Sequence, residues 1–282
     1  MSTLTGSKTT TGMSTLFHSN PILRRMSRTA VRAEENAATY SGIAMKTTYF
    51  LVMTMIGMIA QLLVGAALAN APVWQTFTFK DSFTVSITLA ETVILAGVTL
   101  GGFAAELLGI FARKTIPVTG SIYSMCEGYF ISFLVFKLLK GYEFLGLEAL
   151  LITVAVIGVM SWLYSSGIIQ VNGTFRTVLM SLLLGSVALG VFTFVGSLIP
   201  ALQPYVLAAT QNPVLAIGID LIGIAIASLM LVSDFAMIDD CVKQGYAKEY
   251  EWSAAFGLVF TVLWLYLKIL DLLIRVSGQN KN

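Results

Sequence analysis

Residues 264–276 read WLYLKILDLLIRV, a run apolar enough to cross a bilayer yet interrupted by Lys268, Asp271 and Arg275. An ionisable group inside hydrocarbon costs roughly 2.5–3.5 kcal/mol even on a lenient insertion scale, so it persists only when paired, wetted or used. The three charges recur at helical spacing and share one face of the segment. A Lys–carboxylate contact at about 4 Å, with an effective dielectric near 20, contributes about 4 kcal/mol and offsets much of that cost. Asp271 is the local partner open to Lys268, and Asp234 and Glu127 are partners from elsewhere in a bundle. The plainer reading is a self-neutralising pair that only positions the helix.

Working outward, the chain of 282 residues is 56% hydrophobic and 11% charged, with mean hydropathy +0.83. Such a composition belongs to an integral membrane protein. Crossing a core of about 30 Å takes about 20 apolar residues per helix. Seven stretches qualify, at 47–69, 83–105, 118–139, 147–165, 175–199, 213–234 and 252–276. The expected fold is an all-α membrane protein with a tail over residues 1–46, a seven-helix domain over 47–276 and a short polar end over 277–282.

The tail has no apolar core of a cleavable signal, so the first helix is expected to direct insertion. Its Ser/Thr/Gly-rich beginning reads as disordered, followed from Asn20-Pro21 by a basic amphipathic helix suited to an anionic membrane surface. Lys and Arg in the connecting segments place the N-terminus in the cytoplasm and the C-terminus outside. Cys126 falls in a span and Cys241 in a predicted inner loop, which favours no disulfide.

His18 is the sole histidine and lies in the tail. That excludes histidine-based catalysis and metal binding in the membrane, and no catalytic or nucleotide motif is present. No enzyme activity, cofactor, metal site or nucleic-acid partner is expected. The acids are more informative. Asp220 and Asp234 are fourteen residues apart, about four turns, so they project from one face of the sixth helix, about 21 Å apart. Together with Glu91, Asp220 marks a possible polar path, although solvation at a headgroup layer is its simpler fate. Glu106 reads as interfacial, and Glu127 is central to the third span. The mixed-charge loop containing Asp239, Asp240, Lys243, Lys248, Glu249 and Glu251 reads as solvated. Gly97, Gly101 and Gly102 form a face on which another helix could approach closely.

The segments SNP at Ser19–Pro21, ATYSG at Ala38–Gly42, YSMCEG at Tyr123–Gly128, LVSDF at Leu231–Phe235 and EYEWSAAFGLVFTVLWLYL at Glu249–Leu267 carry a resemblance. Together they resemble the Bax inhibitor (transmembrane Bax-inhibitor motif) family, in its bacterial branch with an extended tail. The resemblance implies a bacterial inner-membrane protein, connected with stress responses, whose last helix is central and wrapped by the other six. It further implies a pH-sensitive calcium leak in which a sixth-helix acid, here Asp234, shares protons with a seventh-helix acid. Lys268 stands where that second acid is expected, and Asp271 where a basic residue is often found. An ammonium there repels a divalent cation, so weaker calcium conduction is expected.

The combined expectation is an ion leak for calcium or protons, gated by a central polar cluster of Asp234, Lys268, Asp271 and Glu127. The alternative is a non-conducting regulator that binds membrane proteases or stress-response partners. A retinal protein is disfavoured, because Trp264 stands where a counter-ion acid would precede the lysine and the third span has no Arg.

Overall fold

A computed structural model of the chain describes residues 37–79 and 83–279, so the amphipathic tail helix and His18 lie outside the described residues. In chain order come α1 (Tyr40–Ala67), β1 (Val73–Phe79), β2 (Phe83–Thr88), α2 (Leu89–Phe111), α3 (Ile116–Ser132), α4 (Phe144–Ser165), α5 (Gly173–Leu198), α6 (Gln203–Gln211), α7 (Pro213–Lys243) and α8 (Tyr250–Gln279). A 3₁₀ turn, Arg113–Thr115, joins α2 to α3, and a π-helical segment, Phe133–Leu138, continues α3.

Among the described residues six helices are long and apolar enough to cross a membrane: α1, α2, α4, α5, α7 and α8. The chain is therefore a multi-pass membrane protein. The remaining expected span begins as α3, whose regular part has 17 residues and whose π segment adds six.

Several boundaries shift from expectation, and two of the shifts change the character of a segment. Residues 83–88 form a strand rather than the start of a helix, pairing antiparallel with β1. The alternation in FTVSIT explains it, since Val85 and Ile87 turn to one side and bury against Phe133, as a half-buried strand requires. At the other end, α7 runs on to Lys243, so Asp239, Asp240, Lys243 and the buried Cys241 are helical and not in a loop. The stop comes at Gly245, with φ 65°. There the Tyr246 amide donates to Cys241 O and the Gly245 amide to Val242 O, a left-handed cap that favours glycine.

The helix ends sort into two groups, named here by the α8 residue found at each. At the Glu251 end lie the starts of α1, α3, α5 and α8 and the ends of α2, α4 and α7. The hairpin and the start of α2 lie at the Arg275 end. No residue of α8 from Glu251 to Arg275 is exposed. It packs chiefly on α7, α1, α4 and α3. These four form its closest surround, while α2 docks mainly on α3 and α5 on α7.

Small residues set the closest approach. Gly57 of α1 faces the Met125 backbone of α3, and Gly128 of α3 faces the Thr54 carbonyl of α1. By contrast, Gly97 and Gly101 have nothing within 4 Å, and only Gly102 of that expected face packs, against Cys126. Ser132 Oγ donates to Gln61 Oε1 at 2.8 Å, closing the same α1–α3 seam with a buried polar pair.

Candidate functional site

The seam between α7 and α8 holds the most informative side chain. Asp234 is 8% exposed, and its Oδ2 has no hydrogen-bond partner among the described residues. Burying a polar oxygen without a partner is costly, so such an atom calls for an explanation. Gly257 of α8 leaves the space in front of it. A Cβ at that position would stand 3.9 Å from Asp234 Oδ1 and 3.7 Å from Met237 Cε. Thr261, one turn further along α8, is the neighbouring hydroxyl, and its Oγ1 donates to Gly257 O at 3.1 Å.

Met237 and Gly257 also line a cleft of ≈ 330 Å³ at the Glu251 end, between α2, α3, α7 and α8. Phe256 and Phe260 form part of its wall. Asp234 therefore stands directly behind the wall of an open cleft.

Glu127 is elsewhere. It lines a separate cleft of ≈ 190 Å³ between α2 and α3, together with Glu106, Cys126 and Tyr123. Tyr123 Oη donates to Glu127 Oε1 at 3.4 Å, and Glu106 lies in electrostatic reach. The Tyr123 ring packs 5.5 Å from Phe256 and 5.8 Å from Phe260. This aromatic wall parts the two clefts.

Lys268 and Asp271 sit toward the Arg275 end. Arg275 Nη2 donates to Asp271 Oδ2 at 3.2 Å, and its Nε lies 2.7 Å from Asp220 Oδ2 on α7. The Nε–H is not aimed at that oxygen, so the second contact is one of charge rather than an aligned hydrogen bond. Asp220 is buried, at 2% exposure, and so is enclosed by protein instead of being freely solvated as expected. The Lys268 stem lies along Gly223 of α7, its Cδ 3.1 Å from where a Cβ would be. Among the described residues no carboxylate comes within 4.0 Å of its amine, although Asp220 is in electrostatic reach. Neither Asp271, Asp234 nor Glu127 pairs with it.

Glu91 has partners of its own. It closes the N-terminus of α2 in a capping box with Thr88, and Lys137 Nζ donates to its Oε1 at 2.7 Å. The expected four-residue cluster is thus three places: Asp234 alone, Glu127 with Glu106, and Lys268 and Asp271 with Asp220 and Arg275. Arg275 is a charge on the same face of α8 as Lys268 and Asp271, and Glu106, expected at an interface, lines the same cleft as Glu127.

Glu251 is the main residue that sequence reasoning set aside. Expected in a solvated loop, it is fully buried, paired with Lys46, and accepts from the Thr39 amide at 2.9 Å and Thr39 Oγ1 at 3.2 Å. Gly42 leaves the room for its carboxylate. Trp252 beside it receives the Lys46 ammonium 5.2 Å from its ring and packs edge-on against Tyr49 and Phe50. The segments Ala38–Gly42 and Glu249–Trp252, remote in sequence, are therefore one structural unit.

No curated protein matches the chain. The family model described as Bax inhibitor 1 like matches residues 20–278. A match over that span reaches every helix described above, and the chain belongs to the Bax inhibitor 1 like family.

Proposed function

We propose that the protein is a seven-span ion leak of a bacterial inner membrane, passing protons or calcium in a pH-dependent manner, with its N-terminus cytoplasmic. The seventh span in this reading is α3 with its π-helical continuation, roughly 30 Å of helix in all. The observation that carries the proposal is Asp234: a buried carboxylate without a countercharge, set behind the wall of a cleft open at the Glu251 end. Such a group can take up and release a proton or a cation in a way that a salt-bridged acid cannot. Lys268, Asp271, Asp220 and Arg275 then act as the far barrier, and Glu127 as a neighbouring site rather than part of one cluster.

The test is flux into proteoliposomes between pH 6 and 8, read with a calcium dye and a pH dye. Wild-type protein should exceed empty vesicles, and Asp234→Asn should lose most of the difference. Equal flux with and without protein in both assays would remove the proposal.

A regulatory reading draws on a different observation. The Ala38 amide donates to Tyr246 O at 2.7 Å, so the start of the described chain is strapped to the turn before α8. A membrane protease or stress-response partner gripping the tail would pull on that strap. Removing residues 1–36 discriminates: a regulator loses its partner, whereas a leak keeps its flux.

A further inference from the structure

The cleft in front of Asp234 changes character along its length. Its inner walls, from Gly109 and Ile110 of α2 to Phe256 and Phe260 of α8, are apolar. At its mouth it shares Arg113, Tyr250 and Ser253 with a second recess of ≈ 200 Å³, which adds Lys114 and Glu249. Arg113 and Lys114 are exposed on the 3₁₀ turn between α2 and α3. Among the described residues neither has a carboxylate within 4.0 Å; Arg113 instead lies 5.7 Å over the Tyr250 ring. Two cations against the single acid Glu249 leave the recess net positive. From Tyr250 to Phe260 the cleft follows about 15 Å of helix, at about 1.5 Å per residue.

An apolar channel of that length with an unpaired cationic mouth at a membrane surface matches one ligand shape, an acyl chain joined to an anionic headgroup. We propose that the cleft binds one acyl chain of an anionic phospholipid, whose phosphate rests on Arg113 and Lys114. Free phosphate satisfies only the mouth, and a zwitterionic lipid brings its own ammonium to the two cations. The chain would pass over Met237 and Gly257, so the bound lipid covers Asp234. That last consequence rests on the leak reading; the binding itself does not.

The test uses the purified full-length protein titrated with phosphatidylglycerol or phosphatidylcholine, with bound lipid counted by native mass spectrometry. Phosphatidylglycerol should bind at least about tenfold more tightly, and the exposed double variant Arg113→Gln/Lys114→Gln should reduce that preference to about twofold. A phosphatidylglycerol carrying a photoreactive group in its chain should label peptides of α2 and α8 around Ile110 and Phe256. Equal binding of the two lipids, an unchanged preference in the double variant, or labelling only on outer helices such as α5 would each overturn the site. Displacement by inorganic phosphate or glycerophosphoglycerol as effective as by the intact lipid would mean a headgroup contact only and would also overturn it. If binding and labelling appear but no vesicle shows flux, the lipid site stands and the leak reading falls.

Discussion

At the scale of single residues, Glu251 shows how an acid that lines no proposed pathway can matter to folding. Its carboxylate is fully enclosed and held by Lys46 and by two groups of Thr39. Breaking a buried pair from one side costs about 3–5 kcal/mol, because the remaining charge is stranded. Lys46→Met strands a carboxylate with no solvent exposure, while Glu251→Met leaves an ammonium that is 14% exposed. The first change should therefore lower the melting temperature in detergent more than the second. The double variant should recover part of the loss, and a thermal-shift series on the three proteins measures this directly. Equal losses for both single changes would contradict the burial difference.

This residue also marks where sequence reading stopped. The charges of WLYLKILDLLIRV were legible because hydrocarbon makes any charge conspicuous. Asp234 was legible for the same reason. Glu251 was not, since it follows Lys248 and Glu249 in a polar run where an acid has an ordinary solvated explanation. Its burial depends on Thr39 and Lys46, more than 200 residues away. Likewise, nothing local to Lys268 says that Asp271 is claimed by Arg275, or that Asp220 shares the same guanidinium.

At the scale of elements, helix seams are decided by which glycines face backbone. A methyl at Gly57 or Gly128 collides with a carbonyl group across the α1–α3 seam, and neither backbone can yield without separating the helices. Gly57→Ala and Gly128→Ala should each reduce folded yield and thermal stability, by about 1–3 kcal/mol as overpacking typically does. Gly97→Ala and Gly101→Ala should be neutral, because those positions are open. Size-exclusion recovery after heating compares the four. The Gly-rich pattern in α2 suggested a contact because spacing alone cannot tell a packed face from a lipid-facing one. The start of α2 supplies a second case. Thr88→Ala removes one half of the capping box and should cost about 1 kcal/mol. Faster amide exchange in residues 89–91 would register it. The hairpin that precedes this cap was hidden in the hydropathy profile, since β-branched and aromatic residues raise hydropathy whether they lie in strands or helices.

At the scale of the whole molecule, the two ends of the α7–α8 seam differ in electrostatic character, one holding a single acid and the other two acids balanced by two cations. Toward the Glu251 end stands a lone carboxylate, Asp234; toward the Arg275 end, Lys268 lies along Gly223 while Asp220 and Asp271 are already engaged by Arg275. An ion moving along the seam on the proposed pathway meets an ammonium whose nearest acids are partly neutralised. At about 8 Å and an effective dielectric of 20, repulsion by one positive charge costs about 4 kcal/mol for a divalent cation and about 2 kcal/mol for a monovalent one. On that proposed pathway Lys268 would penalise calcium more than protons or sodium. Lys268→Met should raise calcium flux at least about tenfold more than it raises monovalent flux, measured side by side in the same proteoliposomes. Gly223→Ala provides an independent handle, since its methyl would meet the Lys268 stem and shift the amine without removing the charge. That variant should alter the calcium-to-monovalent ratio in either direction, whereas an identical ratio in wild type, Lys268→Met and Gly223→Ala would place the permeation path elsewhere than this seam.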